Sequence, residues 1–156
     1  MSEISDKIHE KCLAFSDRII KLNDYLLEEA ANKKAEVLRK KADGKPETRF
    51  EVRGRKSDVR SVPVYLQSVA AICNQLLRSG TSIGANNAEA INAVSKQDFR
   101  AKSYIALKEA RESLYWIELL HRNKYLDDKQ YESMHDDCEE LVRILVARCK
   151  KLDSEG

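Results

Sequence analysis

Turn-forming residues are scarce in this chain, with five glycines and two prolines among 156 residues. That shortage excludes collagen-like repeats and Pro/Gly-rich disorder, and it denies an all-β sandwich the turn it needs every ~8–12 residues. No apolar run approaches the ~20 residues a membrane-crossing helix requires. The opening MSEISDKIHEKC is charged where a secretory leader would be apolar, so the expected location is cytoplasmic. No CxxC pair occurs. Cys12, Cys73, Cys138 and Cys149 are scattered, which predicts reduced, buried thiols rather than a disulfide framework. A strong charge of one sign is missing too: Lys+Arg 28 against Asp+Glu 26 gives +2, too balanced to demand a nucleic-acid partner.

What is abundant is the material of long amphipathic helices, 35% charged and 42% hydrophobic residues. The expected fold is a single all-α domain over 1–156, an antiparallel up-down-up-down four-helix bundle with an elaborated connection between its first two helices. Ile8, Cys12, Phe15, Ile19, Leu22 and Leu26 follow 4-3-4-3-4 spacing in a first helix over about Ser5–Ala42. Beyond Glu29 the pattern thins, so that end projects from the core or frays. Asp43-Gly44-Lys45-Pro46 stops it. Between Thr48 and Val64, alternating apolar and basic residues fit two short strands around a Gly54–Asp58 loop, or equally a disordered basic loop.

A second helix begins near Pro63 and carries Val69, Cys73, Leu76, Gly80, Ile83, Asn87 and Ala90 at 4-3 spacing. A phosphate-cradling turn at Ser79-Gly80-Thr81-Ser82 beside Arg78 would reset that phase, and it lacks the Lys of a P-loop. The continuous helix is favoured, with its small residues suited to close packing. Ser95-Lys-Gln-Asp98 reads as a capping box opening a third helix that runs to about His121. That helix has two apolar stripes. Phe99, Ala106, Ala110, Leu114 and Ile117 suit a core, and Ala101, Ile105, Trp116 and Leu119 are surplus to a lone bundle, which predicts a subunit interface. Asp127 caps a fourth helix, whose Tyr131, Met134, Cys138, Leu141, Val142, Leu145, Cys149 and Leu152 share a face. Arg143, Arg148, Lys150 and Lys151 near its end suit the helix dipole.

Several constellations could carry chemistry. Glu118/His121 and Glu132/His135 are ExxH pairs of the di-metal bundle type, with Glu89 as a further carboxylate, but both pairs sit at helix ends and off the apolar faces. His9/Cys12 and His135/Cys138 could close a tetrahedral zinc site, although both cysteines already belong to apolar seams. Glu89, Glu109 and Glu112 are carboxylates any such bundle offers. The expectation is therefore no metal, no cofactor and no catalytic residue. Asn86, Glu89, Lys102 and Arg111 suit a buried polar network that fixes helix register. The distribution of charge is the best functional signal. Lys33 to Arg60 holds eleven basic and five acidic residues, and Asp127 to Glu140 holds one basic and seven acidic. Lys33, Lys34, Arg39, Lys40, Lys41, Arg49, Arg53, Arg55, Lys56 and Arg60 are candidate phosphate contacts, with a solvated charged surface as the plain alternative.

Gln75-Leu-Leu-Arg-Ser-Gly-Thr-Ser-Ile-Gly-Ala-Asn-Asn-Ala-Glu-Ala90, Ser95-Lys-Gln-Asp-Phe99, Ile105-Ala-Leu-Lys-Glu-Ala-Arg-Glu-Ser-Leu-Tyr-Trp116 and Cys138-Glu-Glu-Leu-Val-Arg-Ile-Leu145 together resemble the 23S rRNA intervening-sequence protein family. The accessory variability determinant proteins of diversity-generating retroelements share its fold. The resemblance covers roughly 11–28 and 73–152. It implies a bundle that assembles into a homopentameric ring, without established catalytic residues, associated with RNA and, in the retroelement members, with a reverse transcriptase. Between Glu29 and Ile72 the chain departs from the pattern with a longer connection, and the basic stretch lies there. The expected function is a non-enzymatic, ring-forming RNA-binding or accessory protein. The alternative is an oligomeric scaffold that binds only protein.

Overall fold

The computed structural model describes residues 3–43, 49–52, 55–58 and 62–154, with side chains for 5–40, 42–43 and 66–154. The 4-3 seam of the first helix is realised in α1 (Glu3–Ala42), where Ile8, Cys12, Phe15, Ile19, Leu22 and Leu26 are all buried. The second seam is equally intact. α2 (Val62–Ile91) runs unbroken through Gly80 and Gly84, so the phosphate-cradling turn does not form. α3 (Lys96–Arg122) opens on Ser95, whose hydroxyl accepts from the Asp98 amide at 3.1 Å, while the Asp98 carboxylate accepts from the Val94 amide at 3.2 Å. α4 (Asp128–Ser154) opens on a reciprocal box: the Gln130 amide donates to Asp127 at 2.8 Å, and the Asp127 amide donates to the Gln130 side chain at 3.2 Å.

The α3–α4 turn is set by Lys124 at φ 61°, a left-handed position usually given to glycine. The Lys124 amide donates to His121 O at 2.9 Å and the Tyr125 amide to Leu120 O at 2.8 Å. Tyr125 and Leu120 are both buried beneath this turn, the apolar contact that accompanies such a helix end.

Each helix packs antiparallel on the next, and α4 returns to α1 to close the bundle. One core joins all four, from Phe15 and Ile19 of α1 through Ile83, Ile117 and Leu120 to Leu141 and Leu145. On α3 the core face is Ser103, Ala106, Leu107, Ala110, Ser113, Ile117 and Leu120. Phe99 and Leu114, expected there, are only half-buried, because the two serines take inner positions that a purely apolar pattern would not assign.

At 1.5 Å per residue, α1 is about 60 Å long and α3 about 40 Å. Ile19 lies against Gly80, and Ser113 lies against Ser79. Counting along antiparallel partners from these contacts puts Val37 level with Val62, and Arg122 level with Ala70. The ends of α1 and α2 therefore continue past α3 as a two-helix extension, and Val37 is 6% exposed within it. The helix does not fray there.

Between α1 and α2 lie two short antiparallel strands, β1 (Arg49–Val52) and β2 (Arg55–Asp58). Of the two readings left open the hairpin is the one present, but Arg55–Asp58 belongs to the second strand and not to a Gly54–Asp58 loop. A hairpin can close with two residues, so a longer loop is not needed. Its register pairs Arg49 with Asp58, Phe50 with Ser57, Glu51 with Lys56 and Val52 with Arg55.

Candidate nucleic-acid interface and oligomer faces

The basic candidates gather at the far end of the α1–α2 extension. Lys34 and Arg39 are exposed on α1, and Lys33 and Lys40 are half-buried. Glu36 sits between the latter two, 3.2 Å from Lys33 Nζ and 3.0 Å from Lys40 Nζ. The Lys40 hydrogen bond, helped by Lys33, holds the Glu36 carboxyl below its usual range, so one acid offsets part of this patch. Lys41, Arg49, Arg55 and Lys56 are placed by their backbone alone, on α1 and the hairpin. Arg53 and Arg60 lie outside the described residues.

Two apolar faces point outward. On α3, Ala101 and Ile105 are exposed and Trp116 and Leu119 half-buried, with Tyr115 56% exposed beside them. Trp116 Nε1 donates to Glu112 at 3.0 Å, and Tyr115 packs edge-on to the indole. The second face was not read from the sequence. Leu13, Ile20 and Leu27 of α1 are 47%, 43% and 37% exposed at seven-residue intervals. Their spacing was visible, but the stronger seam through Ile8–Leu26 concealed it.

Of the expected buried polar network one contact is present, and it lies at the surface. Lys102 of α3 pairs with Glu89 of α2, and that bond raises the ammonium pKa. Asn86 instead donates to Ser82 O at 2.9 Å on its own helix, and Arg111 is exposed. The buried polar contacts between helices lie elsewhere. The Ser79 and Ser113 hydroxyls meet 3.0 Å apart, each within 3.5 Å of a carbonyl one turn back, which satisfies both and lets α2 and α3 approach closely. Arg148 of α4, expected at a helix-dipole position, turns inward and donates from Nη1 to Asn87 Oδ1 at 2.8 Å. Asn87 and Arg148 both fall on apolar seams by spacing, 83-87-90 and 141-145-148-152, and a polar residue on a seam was the signal that could have found them.

The metal candidates are dispersed. His121 bonds Asp128 at 2.8 Å and stacks on Tyr131, and that hydrogen bond lowers the Asp128 pKa. Glu118 pairs with Arg122 on its own helix. Cys138 Sγ donates to Ala110 O at 3.3 Å, and burial raises its pKa to about 12. Burial likewise raises Cys12 to about 11, against the pull of Arg148, and Cys73 to about 11. These thiols stay protonated at neutral pH, which makes them core fillers and poor ligands or nucleophiles. Glu109 is raised by burial and then by Glu112, with Arg78 opposing. Among the described residues no three His, Cys, Asp or Glu side chains are grouped to hold a metal ion. Nor is any described helix long and apolar enough to cross a membrane.

The α1–α4 seam is the open one. Clefts of about 350, 120 and 550 Å³ lie along it, the first lined by Arg18, Lys21, Leu22, Lys129, Ser133 and Met134. Charged bridges cross between them. Lys11 lies 2.9 Å from Glu140, and Arg18 reaches Asp137 and the Ser133 hydroxyl.

No curated protein matches the chain. Among solved structures it resembles a protein of unknown function from the S23 ribosomal protein family of Bacteroides thetaiotaomicron, with 34% identity and a TM-score of 0.66. The match covers 94% of this chain and 97% of that one. The family model for the 23S rRNA-intervening sequence protein matches residues 64–147, beginning directly after the basic connection and spanning α2, α3 and most of α4. With more than half its length in that match and a solved relative sharing a third of its residues, the chain belongs to the 23S rRNA-intervening sequence protein family.

Proposed function

We propose that the protein acts without catalysis, as a ring-forming homo-oligomer of the pentameric kind that binds RNA or serves as accessory to a nucleic-acid enzyme such as a retroelement reverse transcriptase. The observation that carries this reading is the α1–α2 extension, which outruns the bundle and bears Lys33, Lys34, Arg39 and Lys40 below a basic hairpin. One such arm, partly offset by Glu36, is a weak phosphate ligand. Several held on one ring act at high effective concentration, and each phosphate contact adds counterion release. A ring needs two different complementary faces on each subunit. The α3 stripe of Ala101, Ile105, Trp116 and Leu119 and the α1 stripe of Leu13, Ile20 and Leu27 supply two. The family's association with an rRNA insertion agrees with an RNA ligand.

Binding of labelled structured RNA across a salt series tests the proposal, with sedimentation in parallel. The expected result is an oligomer whose affinity falls steeply with salt and falls further when Lys34, Arg39, Arg49, Arg53, Arg55 and Lys56 become Ala. A monomer at micromolar concentration, or affinity indifferent to those changes, overturns it. The second reading, a scaffold that binds only protein, is favoured by the Glu36 pairing and by the hairpin register, which couples opposite formal charges at two of its four positions. Capture of a neighbouring reverse transcriptase by an oligomer that ignores RNA would select it.

A further inference from the structure

At the end of the bundle away from the basic extension, Arg148 is half-buried and meets residues of all four helices. Asn87 of α2 accepts from Nη1, the Phe99 ring of α3 lies 5.6 Å from the guanidinium carbon, and Cys12 of α1 and Cys149 of α4 stand beside it. None of these is an anion, since both thiols are held protonated chiefly by burial. Nearby cations are provided for. Arg100 holds Asp153 at 2.6 Å, and Lys102 holds Glu89. Asp153 is further engaged by the Tyr104 hydroxyl at 2.6 Å. Arg148, more enclosed than either cation, has no carboxylate among the described residues, and its remaining N–H groups have no partner there.

The neighbouring polar atoms make the same point. Among the described residues three buried side-chain polar atoms lack a hydrogen-bond partner: Asn87 Nδ2, Ser103 Oγ and His9 Nδ1. All three belong to this end. Asn87 is 0% exposed, Ser103 is one turn along α3 from Phe99, and His9 is one turn along α1 from Cys12. The Asn87 amide cannot be reversed, because its oxygen must face the guanidinium donor. Its two N–H donors are thus left beside a cation, an arrangement that suits an acceptor carrying negative charge.

We infer that Arg148 and Asn87 form a binding site for a small oxyanion of the phosphate class, lying at the closed end of the bundle and separate from the basic arms. The guanidinium supplies charge and forked donors, the Asn87 amide supplies a fixed neutral donor, and Phe99 screens one face from water. Inorganic phosphate and a terminal phosphate ester share this chemistry. The site does not depend on the RNA-binding reading.

The test is thermal unfolding of the full chain in sodium chloride and in sodium phosphate at matched ionic strength, in wild type, Arg148→Met and Asn87→Asp. General salting-out stabilises all three alike, so the difference between variants is the readout. Phosphate at ten times its Kd raises the wild-type Tm by about 3–6 °C beyond that background. Arg148→Met loses the increment; it also leaves Asn87 Oδ1 without its donor, so its baseline in chloride can fall, and what is compared between variants is the difference between the two salts within each. Asn87→Asp places a carboxylate where the anion sits, so it unfolds at a higher temperature in chloride and no longer responds to phosphate. A 5′-phosphorylated tetranucleotide compared with its 5′-hydroxyl form identifies the source: a response to the former alone assigns a nucleic-acid end, and a response to inorganic phosphate alone assigns the free anion. Equal phosphate increments in wild type and Arg148→Met, or an Asn87→Asp protein less stable than wild type in chloride, overturn the inference.

Discussion

α1 meets its two neighbours in opposite ways. Against α2 it closes by shape: Gly80 leaves room for Ile19, and Gly84 faces Cys12 and Ser16. Against α4 it is bridged by Lys11–Glu140 and Arg18–Asp137, with clefts between the bridges. The first seam joins helices consecutive in the chain, and the second joins the two terminal ones. Dispersion and burial grow with every atom in contact, whereas half-exposed ion pairs contribute little each. α1 is therefore held chiefly by α2, and the α1–α4 side is where the bundle can open at small cost. Substitutions on the two seams should separate by an order of magnitude.

The largest effect is expected at Ile19, which is fully buried. Ile19→Ala removes its packing on the glycine notch and should cost about 2–5 kcal/mol, read as a lowered urea midpoint at unchanged slope. Gly80→Ala follows. The added methyl overlaps the Ile19 side chain, and overpacking of that kind costs about 1–3 kcal/mol, against about 1 kcal/mol returned by replacing a helical glycine. The net expectation is a loss of about 1 kcal/mol. Combining the two substitutions should recover part of the loss, since the new methyl enters space that Ile19 vacates. Strict additivity in that cycle would break the shape argument.

Much of this seam was legible. The unbroken 4-3 phase across Gly80 and Gly84 outweighed their reputation as turn formers, because a turn would have rotated Ile83, Asn87 and Ala90 off the face of Val69 and Leu76. Ser95 with Asp98 marked the start of α3 for a local reason, hydrogen bonds within four residues. What remained illegible depends on neighbours. Periodicity shows that Asn87 and Arg148 lie on inner faces, but only the packing of α2 on α4 shows that they meet. Arg111 and Asn86 were plausible in a network by the same periodicity, and packing turned them elsewhere. Phe50 to Asp58 has too few residues for its alternation to distinguish a marginal hairpin from a loop.

Gly84 sharpens the contrast within the tight seam. A methyl there would lie 3.5 Å from Cys12 Cβ and 3.7 Å from Ser16 Oγ, ordinary contact distances. Gly84→Ala should therefore stabilise the protein by about 0.5–1 kcal/mol through helix propensity. A Tm that rises for Gly84→Ala and falls for Gly80→Ala, in proteins of identical composition, would locate the close approach at Ile19. A fall in both would mean that the whole seam, not one notch, is filled to its limit.

The smallest effect belongs to the open seam. Lys11 and Glu140 meet at 2.9 Å with both side chains 46% exposed, so water screens most of their attraction. A double-mutant cycle of Lys11→Ala and Glu140→Ala should return a coupling of about 0.2–1 kcal/mol at low salt. At 1 M salt the screening length falls to about 3 Å, and the coupling should vanish. The same salt should leave the Ile19→Ala penalty nearly intact, because nothing in the glycine notch is charged. A Lys11–Glu140 coupling that survives 1 M salt, or one as large as the cavity penalty, would mean that the α1–α4 bridge is buried in the working protein. The most direct cause would be a second subunit covering the clefts, which would make this seam part of a contact between copies and leave one of the two apolar stripes free for another partner.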